Sequence, residues 1–270
     1  MLTVLFNAIL GVGVVALLGV TDTSNWVWAT VFGVLAFILG QGVSGFLIQR
    51  QVKAAMLGVQ NILVEGQKRL QNRINQWQMH PPGSVKQAQL EIEREQRVFV
   101  KQALDASQGL ERFNLWAPLM GRQICTLRAQ LYWMIKEFNQ VDALLPKALM
   151  IDPMMAAIKL ARMHMRGEIE GQKKFFQKQS RRLRYGQGVL LYALYAWILV
   201  QRKEISEAYK ILIAAGEKME NETLKRNREH LANNRIGHFS NAGLGDEWFA
   251  LHLEQPKVKT QRQRFNGRPF

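Results

Sequence analysis

From Leu2 to Val20 no side chain is charged, the next five residues (TDTSN) are polar, and from Trp26 to Ile48 charge is absent again. A helix crosses the hydrocarbon core of a bilayer with about 20 apolar residues, and both runs have that length. They predict a hairpin of two transmembrane helices over residues 1–49. A cleaved signal peptide would need a basic start, which MLTVLFNAIL does not supply. The connecting turn carries only Asp22, whereas Arg50, Lys53, Lys68 and Arg69 follow the second run, so the bias of basic residues places both termini and the large C-terminal part in the cytoplasm. Trp26 and Trp28 then fall at the outer interface, where amphipathic rings are favoured.

Past the second run, Val52, Met56, Val59, Leu63, Gly66, Leu70, Ile74 and Trp77 keep helical or heptad spacing up to HPPGS. The second span therefore continues as a long cytoplasmic helix, with Gly58 and Gly66 each weakening it by about 1 kcal/mol relative to Ala. Ser84 opens the next helix, whose charge-rich segment EIEREQR reads as a solvated face. Turned at Pro81, Pro82 and Gly83, the two segments form a stalk hairpin over residues 50–120.

From Gly121 the texture changes and a repeat emerges. LRAQLYWMIKEFNQVDALLPKALMIDP and LLYALYAWILVQRKEISEAYKILIAAGEKMEN share a small residue amid bulky ones, a polar turn (KEFNQ, RKEIS) and a second apolar helix holding alanine. This resembles the tetratricopeptide repeat, a helix-turn-helix unit of about 34 residues. Ala129, Tyr132, Ala148 and Pro153 stand at the family's small, aromatic, small and proline positions; Ala196, Ala208 and Ala215 match in the later copy, where Glu220 replaces proline. The copies are 67 residues apart (Ala129 to Ala196), close to two periods. Between them IKLARMHMRGEIEGQKKFFQKQS keeps Gly167 near the turn and Phe176 in the second helix, with Gln at the expected alanine sites.

The resemblance covers residues 121–221, with 222–255 as capping helices and 256–270 as a basic tail. Within the cap, Asp246 opens the short helix EWFALHLE, and Trp248, Phe249, Leu251 and Leu253 dock it. Stacked copies share one core and present a concave surface, since no helix pair buries its apolar face alone. By resemblance the inner-helix residues Gln130, Trp133, His164, Trp197 and Gln201 face a partner protein; tryptophan in this pattern also serves as core. The arrangement is similar to that of bacterial inner-membrane proteins that carry a repeat domain on a transmembrane hairpin, including one associated with haem synthesis. The fold class read from the chain is all-α: two transmembrane helices, a helical stalk and a TPR-like α-solenoid.

Charge adds a second kind of contact. The chain has 36 Lys and Arg against 21 Asp and Glu, a formal net charge of +15, which favours anionic partners. The basic residues concentrate in KKFFQKQSRRLR, where Lys174, Lys178, Arg181 and Arg182 share a helix face. That face is either simply solvated or meets anionic lipid headgroups or an acidic protein; nucleic acid is disfavoured because no base-reading module accompanies it.

One stretch carries apparent cofactor chemistry. GQGVSG (40–45) has the G-x-G-x-x-G spacing of a dinucleotide-binding turn, with Glu65 at the distance of a ribose ligand. It follows an uncharged run too long for a strand, and no further strands alternate with helices after Glu65. Gly33, Ala36, Gly40 and Ser44 instead recur at three- or four-residue steps, as do Gly13, Ala16 and Gly19 in the first span, and such smooth stripes let membrane helices approach closely. Cys125 is the lone cysteine, which excludes an intramolecular disulfide. His164 and Glu168 form an i, i+4 pair too small to be a metal site, and no nucleotide loop, nucleophile elbow or zinc-protease motif occurs. The sequence therefore predicts a non-enzymatic, cofactor-free scaffold that organises other proteins at the membrane; a structural subunit of a multisubunit membrane complex is the alternative.

Overall fold

The computed structural model describes residues 2–21, 25–79, 83–116 and 119–256, and every element among them is helical. Asp22, Pro81, Pro82 and the basic tail from residue 257 lie outside the described residues. The chain divides into two compact units, Met1–Leu149 and Met150–Phe270.

The first unit begins with α1 (Leu2–Val20) and α2 (Trp26–Met79). At 1.5 Å per residue the 54-residue α2 is about 80 Å long. Both helices are long and apolar enough to cross a membrane. Their outward faces expose Leu5, Phe6, Ile9, Val12, Phe32, Ile38, Leu39 and Val43, an apolar surface that water solvates poorly. The inward faces form an antiparallel seam. A Cβ at Gly11 would stand 2.9 Å from the Gly33 carbonyl oxygen, and one at Gly33 would stand 2.8 Å from that of Gly11, so the two backbones touch where neither residue has a side chain. One turn on, Asn7 is buried; its amide lies over Gly40 and donates to Ser44 Oγ at 2.9 Å.

Beyond the spans, α3 (Val85–Gln108) starts at Ser84, whose hydroxyl accepts the Gln87 N–H, and returns along α2. Val59, Phe99, Val100 and Ala103 bury the stalk together with Leu131 and Ile135 at the far end of α4 (Met120–Met134). Arg73 crosses from α2 to Glu95 (2.8 Å) and Glu91 (3.6 Å). Lower down, Leu110, Phe113, Met120 and Ile124 pack on Ile48, Val52 and Met56, and the start of α1 is tied in by the Leu2 N–H to the Leu115 carbonyl, 3.0 Å. Helix α5 (Phe138–Leu144) completes the unit.

The second unit comprises α6 (Pro153–Met165), α7 (Gln172–Ser180), α8 (Val189–Gln201), α9 (Ile205–Lys218), α10 (Glu222–Ala232) and the short α11 (Asp246–Phe249). Leu190 through Leu199 are all buried, so the 13-residue α8, apolar on every side, is the central core helix. An amide network closes the end: Asn227 donates to Asn241, which donates to the Ala193 carbonyl.

One turn recurs in both units. Lys136, Gly167, Lys203 and Asn234 take the left-handed conformation directly after α4, α6, α8 and α10, at intervals of 31, 36 and 31 residues. At each, two backbone bonds close the helix in the Schellman pattern; for Lys203 they run from its own N–H to Val200 and from the Glu204 N–H to Leu199, both 2.9 Å. In this register Val141, Gln172 and Ala208 are equivalent, as are Ala148, Gln179 and Ala215, and all six are buried.

Candidate functional site

The residues expected to face a partner are divided between the two units and are not all exposed. Gln130 and Trp133 belong to the first unit, and His164, Trp197 and Gln201 to the second. Trp133 is a correction to its partner-facing role: it is 1% exposed, with its ring 5.3 Å from that of Phe138, so it fills the core behind the Lys136 turn. Gln130 is half-buried and Gln201 is exposed.

Trp197 is occupied by the chain itself. Its indole N–H donates to Glu254 Oε1 at 2.7 Å, while the fully buried Trp248 donates to Oε2 of the same carboxylate at 2.8 Å. The two indoles meet edge to face at 5.7 Å, and His164 meets Trp197 in the same way at 5.3 Å. Burial, followed by the Arg202 charge, pushes the His164 imidazole below its ordinary range, so it is neutral at neutral pH. Glu168, expected beside His164, pairs with Arg166 instead, at 2.8 Å. The segment 246–254 is thus a strap packed on Trp197 of α8. Glu254 was not legible as part of this cluster, because it lies 57 residues from Trp197 and in no periodic pattern.

Lys174, Lys178, Arg181 and Arg182 are all exposed, on α7 and just past its end, and among the described residues none of the four is in an ion pair. Beneath them Phe176 stacks on Tyr195 at 4.3 Å, so the cations stand on a rigid base.

GQGVSG lies in the uninterrupted helix α2. Its backbone N–H groups are used in helical bonds and cannot cradle a pyrophosphate. Gly33, Gly40 and Ser44 face α1, and Ala36 is half-buried. The matching stripe on α1 differs from the expected one: nothing lies within 4 Å of a Cβ at Gly13, and Ala16 is exposed, while Thr3, Asn7 and Gly11 are buried. A Cβ at Gly19 would meet the Trp26 ring at 3.3 Å.

Where the hairpin enters the stalk, the first unit is hollowed on two sides. A cleft of about 910 Å³ runs along α2 from Gln41 to Gln60, between the start of α1 and Trp116, Met120 and Gln123. A recess of about 480 Å³ lies across Thr3 and Trp116 from it, lined by Phe6, Leu47, Phe113 and Arg112. The Thr3 hydroxyl donates to the Trp116 carbonyl at 3.2 Å and fixes the partition between them. Sequence reading missed both hollows, since their walls come from three segments with no common pattern.

Compared with known proteins, the chain matches no family model, no curated protein and no solved structure.

Proposed function

We propose that this protein is a membrane-anchored interaction scaffold. The α1–α2 hairpin holds it in an inner, cytoplasmic-type membrane with both termini inside, and a TPR-like series of helix pairs recruits other proteins at the cytoplasmic surface. The recurrence of one helix-ending turn at Lys136, Gly167, Lys203 and Asn234 carries the repeat part of this reading, because four identically bonded turns, the first three followed by equivalent buried positions, are what a repeated unit produces. The lipid-compatible outer faces of α1 and α2 support the anchor.

Two contact regions follow. His164, against Trp197, and the exposed Gln201, one turn further along α8, suit a protein partner, while Lys174, Lys178, Arg181 and Arg182 suit an acidic partner or anionic lipid headgroups. The test is in-cell crosslinking from photoreactive residues at positions 201 and 178, with the membranes washed in carbonate beforehand. The scaffold reading expects the chain in the washed membranes and a defined protein crosslinked at position 201 in substoichiometric amount. Release of the chain by carbonate refutes the anchor. A neighbour that always co-purifies in fixed stoichiometry replaces the scaffold with a subunit of a membrane complex.

A further inference from the structure

The cleft at the base of the hairpin has chemistry that neither the anchor nor the repeats use. Its floor is apolar, built of Ile48, Val52, Met56 and the buried Met120, and Phe46 and Trp116 stand on its rim at 66% and 43% exposure. Lys53 and the amides of Gln41, Gln49, Gln60 and Gln123 also line it, and no acidic side chain does. The one cation in this lining, Lys53, stands on α2 just past the uncharged run that ends at Ile48.

We propose that this cleft holds one anionic phospholipid of the inner leaflet; the proposal rests on the membrane reading above. Length, volume and charge support it. Gln41 to Lys53 spans 12 residues, about 18 Å of helix, against about 15 Å for half the hydrocarbon core, so acyl chains beginning near Lys53 reach the inner end of the cleft. A volume of about 910 Å³ is within the range of about 300–1,000 Å³ that ligand sites occupy. With one cation, four amides and no acid, the lining attracts a phosphate at Lys53 and offers it donors. The smaller recess beyond Thr3 likewise combines apolar walls, Phe6 and Leu47 among them, with one cation, Arg112, and no acid.

Glycine keeps the cleft open. A Cβ at Gly42 or Gly45, both in its wall, would meet nothing within 4 Å, so leucine there fits the fold and projects into the space assigned to an acyl chain.

The experiment reconstitutes the full chain in nanodiscs of phosphatidylcholine and phosphatidylglycerol in equal amounts, releases it into detergent, and counts retained lipid by native mass spectrometry. Wild type should keep one phosphatidylglycerol in preference to phosphatidylcholine. Gly42→Leu/Gly45→Leu should lower retention about tenfold, and Lys53→Gln about fivefold with loss of the headgroup preference. A p-benzoylphenylalanine at position 46 should crosslink to lipid. Undiminished retention in the double-leucine variant overturns the site, as does a crosslink to another polypeptide, and equal retention of the two lipids overturns the anionic headgroup. Liposome flotation separates the two levels: a chain that does not float refutes the anchor, whereas one that floats but keeps lipid in the leucine variant refutes only the cleft.

Discussion

Gly58 and Gly66 sit eight residues apart on α2 and have the same intrinsic cost, yet their surroundings differ. Nothing would lie within 4 Å of a Cβ at Gly58. At Gly66 a Cβ would come to 2.7 Å from Phe99 Cβ and also into the Phe99 ring. Carbon atoms pack at about 3.5–4.0 Å, so α3 would have to retreat by about 1 Å. The ring cannot swing away, since Phe99 is 6% exposed and its neighbours Val100 and Ala103 are fully buried. Overpacking of this kind costs about 1–3 kcal/mol, against about 1 kcal/mol gained from the better helix former. Gly66→Ala should thus lose up to about 2 kcal/mol net and lower Tm by up to about 8 °C, at about 2–4 °C per kcal/mol for a unit of this size. Gly58→Ala should gain up to about 1 kcal/mol and raise Tm. The assay is thermal unfolding of the full chain in one detergent, followed by circular dichroism. Replacing Phe99 by Ala in the Gly66→Ala background should cost less than in wild type, because the clash goes with the ring. If Gly66→Ala raises Tm as Gly58→Ala does, the packing account of Gly66 is refuted.

The remaining predictions concern the seam, the strap and pH. Gly40→Leu displaces Asn7, whose Oδ1 would be 2.8 Å from the new Cβ, and breaks the Asn7–Ser44 bond; it should weaken hairpin packing by about 1–3 kcal/mol, read as faster proteolysis in detergent, and unchanged proteolysis would contradict the seam. Glu254→Gln keeps one acceptor oxygen for two indole N–H groups, so one is left unpaired at a cost of about 1–3 kcal/mol; hydrogen exchange should quicken across residues 246–254, and equal protection would show that the strap does not depend on the carboxylate. His164 binds its proton less readily in the fold than in the unfolded chain, so its contribution to stability is complete above the ordinary value of 6.5 and is lost as pH falls below it. His164→Phe keeps the edge contact on Trp197 and should be less acid-sensitive than wild type in denaturant melts over that window; identical pH profiles would remove His164 from the account.

The helical elements were legible because their signals are local: uncharged runs, a Ser84 cap, polar turns and the 3.6-residue period each lie within one segment. The α2 side of the seam was readable for the same reason, since Gly33, Gly40 and Ser44 repeat on one face. Its partner face was not. Gly11, Gly13 and Gly19 are chemically identical, and only the rotation of α1 about its own axis decides that Gly11 meets Gly33 while Gly13 faces outward. Asn7 escaped because a search for small residues passes over it. The family likeness placed Trp133 and Trp197 on an inner surface, but an indole serves as readily in a core; what decides its role is the residue opposite, Phe138 for one and Glu254 for the other. The turn was hidden by its own tolerance, because Lys, Gly and Asn all occupy the left-handed position and only the backbone geometry is shared. Even the divergent copy obeys it. Gln172 is buried where the other copies place Val141 and Ala208, and its carbonyl is satisfied by Arg202 at 2.6 Å, just past the end of α8.

GQGVSG shows why spacing alone misleads. In a nucleotide-binding turn the three glycines serve one ligand, because the loop curls around a phosphate. In a helix each residue turns by about 100°, so Gly40 and Ser44 point within about 40° of each other, whereas Gly42 and Gly45 lie about 160° and 140° from Gly40 and within about 60° of one another. The same six letters are thus two surfaces. One meets Asn7 across the seam, and the other lines the cleft beside Lys53. The two faces call for opposite responses to one substitution: leucine at position 40 must disturb the hairpin, while leucine at 42 or 45 must leave the hairpin intact and fill the cleft. A nucleotide loop could not produce that split, because there all three glycines would fail together.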